Sequence, residues 1–225
     1  MTGISTNRFC NLRNSIILLT VLGAFACASV HGQVPAFTGE SAAPAPHGEQ
    51  TAVLAGGCFW GVDAVFKHVK GVASVVSGYS GGKSSTAEYE TVSTGTTGHA
   101  ESVKITFDPS QISYAELLRI YFSVATDPTQ LNRQGPDTGT QYRGVIFYAN
   151  EDQKKIAEAY IDQLNQAKVF PRTIVTQVVP LKEFFPAEDY HQNYLALHPD
   201  QPYIVFNDQP KLRALKKDFP EIYKK

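Results

Sequence analysis

Beyond residue 27 this 225-residue chain holds a single cysteine, Cys58, and its only methionine is Met1. The other two cysteines, Cys10 and Cys27, lie in the first 28 residues, so a mature domain without that segment can form no internal disulfide. An excess of one charge is also missing, because 20 Lys and Arg face 21 Asp and Glu and leave a net charge of -1. That balance excludes the basic footprint of a nucleic-acid binder and a strong attraction to anionic membranes. The apolar stretch at 16–28 is too short to span a bilayer comfortably. A near-absence of methionine also spares the mature chain methionine oxidation.

What is present begins with a targeting pattern. Arg8 and Arg13 make a positive start, 16–28 is apolar, and Ala24-Phe25-Ala26 and Ala26-Cys27-Ala28 both satisfy small-x-small cleavage. Residues 1–28 therefore read as a signal peptide cut after Ala26 or Ala28, with a periplasmic or secreted product. Lipidation at Cys27 is the alternative, which bulky Phe25 disfavours. Residues 29–50, with Pro35, Pro44 and Pro46 and no apolar periodicity, read as a flexible leader. The remainder, 51–225, suits one domain with one core. In an oxidising compartment, a retained lone thiol is better explained by reactivity than by packing.

Apolar periodicity predicts a buried strand at 51–55 and a helix from Phe59 closed by Gly71. A strand at 72–77 follows, then a Gly/Ser/Thr-rich loop at 78–100 and a strand through Val103, Ile105 and Phe107. Ser113 and Glu116 form a capping box for a helix to about 123. A second long loop at 124–142 precedes a strand at 144–149, and Asn150 caps a helix to about 167. A strand at 174–179 and a helix at 187–197, stopped by Pro199, complete the pattern. The first six elements run β-α-β-β-α-β, so the expected fold is α+β with a ferredoxin-like split core, additional helices and long functional loops. Lys211 to Lys217 read as a solvated helix face.

Gly56-Gly57 before Cys58 and Phe59-Trp60 after it read as strand end, turn and helix start. The free N–H groups and dipole of a helix start favour a thiolate there, beside aromatic surface suited to an apolar reactant. A buried, inert cysteine is the plainer reading. His99 and Glu101 at i, i+2 make a weak metal-like pair without a third ligand, and Glu101 alone reads as a surface carboxylate. Asp137 is first a turn residue and Tyr142 a strand-edge aromatic, but their loop is dense in polar groups for a spacer. Loops this long tend to carry function.

Four runs then occur together in order: Gly-Cys-Phe-Trp-Gly at 57–61, Gly-His-Ala-Glu at 98–101, the Asp-Pro-Thr-Gln to Tyr-Arg loop at 127–143, and Ala-Glu-Asp-Tyr-His-Gln at 187–192. With them, the chain resembles the A-class peptide methionine sulfoxide reductases over about 51–207. The resemblance implies reduction of methionine S-sulfoxide, free or in oxidised proteins, with Cys58 attacking the sulfoxide sulfur and becoming a sulfenic acid. It implies that Phe59 and Trp60 form the apolar floor for the substrate methyl group and that protonated Glu101 gives its proton to the departing oxygen. Tyr89 and Tyr142 would donate further hydrogen bonds, Asp137 would organise the site, and Tyr194 would be a pocket wall. His191 and Gln192 lie near the same end, where plain helix positions are as good a reading. The chemistry asks for these residue types independently: a sulfoxide oxygen leaves only when protonated, and a carboxyl keeps its proton at neutral pH only if burial or a negative neighbour raises its pKa. Phenols add donors aimed at the developing oxyanion.

Many such reductases carry C-terminal cysteines that capture the sulfenic acid as a disulfide reduced by thioredoxin. The tail 207–225 has none. The resemblance is thus to the single-cysteine type, with no bound cofactor or metal and an external thiol (thioredoxin, glutaredoxin/glutathione or similar) as reductant. Thr126 also stands where the family's loop often has His before Asp127. A monomer is expected. Two rivals remain at this stage: a cysteine hydrolase pairing Cys58 with His99, His191 or His198, and a non-catalytic thiol redox sensor.

Overall fold

The computed structural model describes Met1, residues 34–39 and residues 48–225. Apart from Met1, the expected signal peptide with its cleavage sites and Cys27 lies outside the described residues. The first half of the domain consists of β1 (Gln50–Ala55), α1 (Phe59–Lys67), β2 (Val72–Ser80), the short α2 (Tyr89–Val92), β3 (Ala100–Phe107) and α3 (Tyr114–Ile120). The second half begins with the two-residue strands β4 (Arg133–Gln134) and β5 (Asp137–Thr138), followed by β6 (Val145–Tyr148) and α4 (Glu151–Gln166). It ends with β7 (Gln177–Pro180), β8 (Phe184–Pro186), the short α5 (Tyr194–Leu197) and α6 (Gln209–Asp218).

One six-stranded sheet runs in the order β7-β6-β1-β3-β2-β8. β1 is antiparallel to β3 and β6, and β2 is antiparallel to β3, so β1 and β2 run parallel with β3 between them. This is the split β-α-β-β-α-β core expected of the sequence, within an α+β fold. Parallel β7 extends it beside β6, and antiparallel β8 beside β2. Phe59, Val62, Val65 and Phe66 of α1 bury against Leu54, Val103, Ile105 and Phe107 in one core, each such side chain contributing about 1.5–3 kcal/mol. Helix starts fall where the caps put them: Ser113 Oγ accepts the Glu116 N–H at 3.1 Å, and Asn150 Oδ1 accepts the Gln153 N–H at 2.9 Å. α3 widens at its end into a π-helical turn, Tyr121–Ala125.

Several expectations are corrected. The strand foreseen at 174–179 is confined to β7, because the Ile174 N–H goes to Asn165 Oδ1 (3.0 Å) and the Val175 N–H to the Pro128 carbonyl (2.8 Å). The helix foreseen at 187–197 breaks into a 3₁₀ turn and α5, since Asn193 is left-handed at φ +57°. Gln192 instead bridges both backbone groups of Ser77, accepting its N–H and donating to its carbonyl at 3.0 Å each, as a strand partner would. Within the supposed flexible leader, residues 34–39 are docked. Val34 is buried, Tyr160 donates its hydroxyl to the Pro35 carbonyl at 2.6 Å, and Arg119 Nε donates to the Val34 carbonyl at 3.0 Å. Lys216 and Lys217 are exposed as read, but Lys211 is half-buried against Asp208.

Candidate active site

Two central strands bring the two reacting groups to the same end of the sheet. β1 finishes at Ala55, opposite Ser102 of β3. The chain then turns through Gly57 at φ +95°, a conformation that costs glycine little, and Cys58 caps α1. On β3, the alternation that turns Val103, Ile105 and Phe107 into the core places Glu101 on the same face one step earlier. It meets the start of α1 there, and the Phe59 N–H donates to Glu101 Oε2 at 3.0 Å.

Cys58, Glu101, Tyr89, Tyr142 and Asp137 line one cavity of about 210 Å³, with Phe59 and Trp60 on its wall. The long loops that carry three of them are stitched together. Arg143 donates to the carbonyls of Gly98 (2.9 Å) and His99 (3.1 Å), and Gln141 Nε2 donates to the Ser93 carbonyl at 3.1 Å. Glu188 accepts the Tyr89 N–H at 2.8 Å and the Tyr79 hydroxyl at 2.9 Å, fixing the start of α2. Thr126 accepts from Gln134 Nε2 at 2.5 Å, and Gln134 also accepts the Asp127 N–H, so this position anchors its loop.

Electrostatics separate the roles. Burial pushes the Cys58 thiol well above its ordinary value, and Glu101 and Asp208 push it further, against the Trp60 N–H and the Lys211 ammonium. The thiolate expected from the helix start is therefore corrected: at 8% exposure, desolvation outweighs the dipole and Cys58 rests as a thiol. Glu101 is not the surface carboxylate of the plain reading. Burial lifts it from 4.5 to about 8 against the opposing Phe59 N–H, so at neutral pH it carries a proton. Burial and the Glu101 charge raise Tyr89 and Tyr142, which stay phenols and donors. Asp137 is raised by burial, opposed by its hydrogen bond from the Tyr203 hydroxyl and by Lys211.

Tyr194 is not on the cavity wall as expected. It stacks behind Trp60, with ring centroids 3.7 Å apart and planes within 6°. Trp60 Nε1 donates to His191 Nδ1 at 3.1 Å, which fixes the indole and requires a lone pair on that nitrogen; burial holds His191 neutral. His99 Nδ1 accepts the Gly82 N–H at 3.2 Å and His198 is exposed, so among the described residues no histidine lines the cavity to pair with Cys58 as a hydrolase would need. Among the described residues, no group of three His, Cys, Asp or Glu is arranged to hold a metal. A wider groove of about 500 Å³ runs along β2 and contains none of the reacting groups. The sequence reading missed Tyr203, a cavity residue that reaches Asp137 from the tail, and Glu188, which works through Tyr89. Tyr203 has no local signal, since it follows a proline in an irregular tail; Glu188 lies within the run at 187–192 but where a helix was expected, so its reach to Tyr89 was not visible.

The family model described as peptide methionine sulfoxide reductase matches residues 50–222. A Mesorhizobium japonicum protein named peptide methionine sulfoxide reductase MsrA 2 is 60% identical over 82% of this chain and 93% of its own length. A Thermus thermophilus protein named peptide methionine sulfoxide reductase MsrA is 49% identical over 77% of this chain and 97% of its own. Among solved structures, reduced Mxr1 from Saccharomyces cerevisiae aligns with TM-score 0.64 and 32% identity over 69% of this chain and 89% of that one. Methionine sulfoxide reductase A of Corynebacterium diphtheriae aligns with TM-score 0.58 and 34% identity over 71% and 78%.

Proposed function

We propose a mechanism from the premise that the chain belongs to the peptide methionine sulfoxide reductase family, whose activity is the thiol-dependent reduction of methionine sulfoxide in protein repair. The observation that carries the mechanism is one cavity holding a thiol, a carboxyl protonated at neutral pH and two phenols beside Phe59 and Trp60. The methyl group of the sulfoxide lies on the aromatic wall, and Glu101, Tyr89 and Tyr142 donate to its oxygen. Cys58 sulfur attacks the sulfoxide sulfur while Glu101 protonates the oxygen, and the Glu101 carboxylate takes up the thiol proton. The Cys58–substrate S–S bond forms as the S–O bond of the substrate breaks and its oxygen leaves as water, taking its second proton from Glu101. Water then adds to the Cys58 sulfur, its proton returns to Glu101, and the S–S bond breaks to give methionine and a Cys58 sulfenic acid. The sulfoxide is reduced by two electrons and the thiol oxidised by two. Two equivalents of external thiol then return Cys58 to its thiol, releasing water and a disulfide.

The S epimer is the proposed substrate, and the fixed placement of an aromatic methyl wall and separate oxygen donors in one cavity is what would select it. Incubation with separate S and R epimers of a methionine sulfoxide peptide and excess dithiothreitol tests this. Catalytic loss of the S epimer alone, abolished by Cys58→Ser, is expected; turnover retained without Cys58 would overturn the mechanism. Thioredoxin and glutaredoxin or glutathione remain proposed donors, a monomer the proposed state, and export the proposed destination on the strength of the charge and small-residue pattern before residue 29.

A further inference from the structure

The C-terminal segment places a charge pair at the site for which sulfoxide chemistry gives no role. Asp208 ends the π-helical turn Ile204–Asp208 and is 0% exposed. Its Oδ1 lies 3.3 Å from Lys211 Nζ in the first turn of α6, and its Oδ2 has no hydrogen-bond partner among the described residues. Both charged ends rest on Gly61, the third residue of α1: a Cβ there would run into the Asp208 carboxylate and come within 2.8 Å of Lys211 Nζ. The last glycine of Gly-Cys-Phe-Trp-Gly thus makes room for this pair beside the helix start that Cys58 caps.

The groups around the thiol come from several elements: Glu101 on β3, Asp208 on the turn before α6, Lys211 on α6, the Trp60 N–H on α1, Tyr89 on α2, and Tyr142 and Tyr203 on the cavity wall. Asp137 of β5 acts on Asp208 in turn, and Tyr203, which lines the same cavity as Cys58, donates its hydroxyl to Asp137. Of these side chains only Lys211 is cationic. A thiol, three carboxyl groups and one ammonium cannot all be charged in so dry a place, so the balance between Asp208 and Lys211 decides how readily the sulfur ionises.

We propose that Asp208 and Lys211 are positioning residues that set the reactivity of Cys58: the carboxylate holds the resting thiol protonated, and the ammonium supplies the counter-charge that lets it ionise during attack. The proposal rests on Cys58 as the nucleophile, but alkylation of the thiol reads it without any sulfoxide. In the full chain, iodoacetamide labelling of Cys58 is followed against pH by peptide mass spectrometry, which separates it from Cys10 and Cys27. Asp208→Asn should move the labelling midpoint down by about one pH unit, and Lys211→Gln should move it up by about one. The double variant should return close to wild type, and Lys211→Arg should leave the midpoint in place. Shifts of the same sign in the two single variants, or none, would overturn the proposal, because a packing defect has no reason to reverse with charge. If Asp208→Asn does not fold by circular dichroism, the Gln and Arg variants of Lys211 decide: an upward shift with Gln alone supports the pair, and equal midpoints overturn it. Sulfoxide reduction by the wild-type chain, measured alongside, reports separately on the enzyme assignment.

Discussion

A carboxyl group loses its proton at neutral pH unless water is kept from it, and Glu101, 3% exposed at the edge of an apolar core, is kept from water. Its value in the fold is about 8 against an ordinary 4.5, so the native state holds the proton more tightly than the unfolded chain does. The sign follows: stability from this group is fully present below 4.5 and is lost as pH rises through about 8. Glu101→Gln cannot ionise and escapes that loss. Its urea midpoint relative to wild type should therefore improve from pH 6 to pH 9, while its amide oxygen can still accept the Phe59 N–H. The same substitution removes the proton donor and should slow single-turnover reduction by about 10²-fold or more. In wild type that rate should fall as pH passes through about 8, a limb absent from the variant. An unchanged rate in Glu101→Gln would take Glu101 out of the mechanism, whatever the stability curves do.

The elements differ in how openly the sequence announces them. β1, α1, β3 and α4 each carry a period or a cap that packing then uses, so Cys58 was legible at a helix start after β1, whereas Glu101 on β3 read alone as a surface carboxylate and gained a role only through the family resemblance. The 127–143 run contains Asp137 and Tyr142, while Tyr89, outside every run, was named by the family resemblance alone. What local pattern cannot carry is a contact made by a distant segment. Gln192 finishes the edge of β2 at Ser77 (115 residues away in sequence), and residues 34–39 dock on helices more than 80 residues distant. Lys211 reads as solvated until Asp208 and Gly61 are seen beside it. The two long loops depend on the same kind of contact, since Arg143 ties 140–143 to 98–99. Arg143→Ala would strand those carbonyls at a cost of about 2 kcal/mol. Because the tie positions Tyr142, a donor to the developing oxyanion, kcat should fall more than KM rises. Urea unfolding and steady-state kinetics would check both, and kinetics unaltered in a destabilised variant would limit the tie to a structural role.

At the scale of the whole chain, the deciding feature is that Cys58 has no thiol partner in the domain. None of residues 59–225 is a cysteine, so none of them can take the oxidising equivalent onward as a disulfide with Cys58. The sulfenic acid should therefore persist until an outside thiol arrives, sheltered in a cavity where Cys58 is 8% exposed. Without reductant, the protein mixed with methionine sulfoxide should release one methionine per chain and stop. Its Cys58 should then carry a single oxygen, or a dimedone adduct when dimedone is present, with no disulfide. Intact mass of the same sample also reads the start of the chain, with a new terminus after Ala26 or Ala28 expected if the signal is cut. A chain still carrying residues 1–26 would overturn the export reading, and a thioether-linked lipid on Cys27 would redirect it to a membrane anchor. Added dithiothreitol should convert the single event into turnover at a rate that rises linearly with thiol concentration, since capture is bimolecular. A burst of more than one methionine per chain before any thiol is added would mean a second acceptor of the oxidising equivalent exists, and the single-thiol cycle would be wrong.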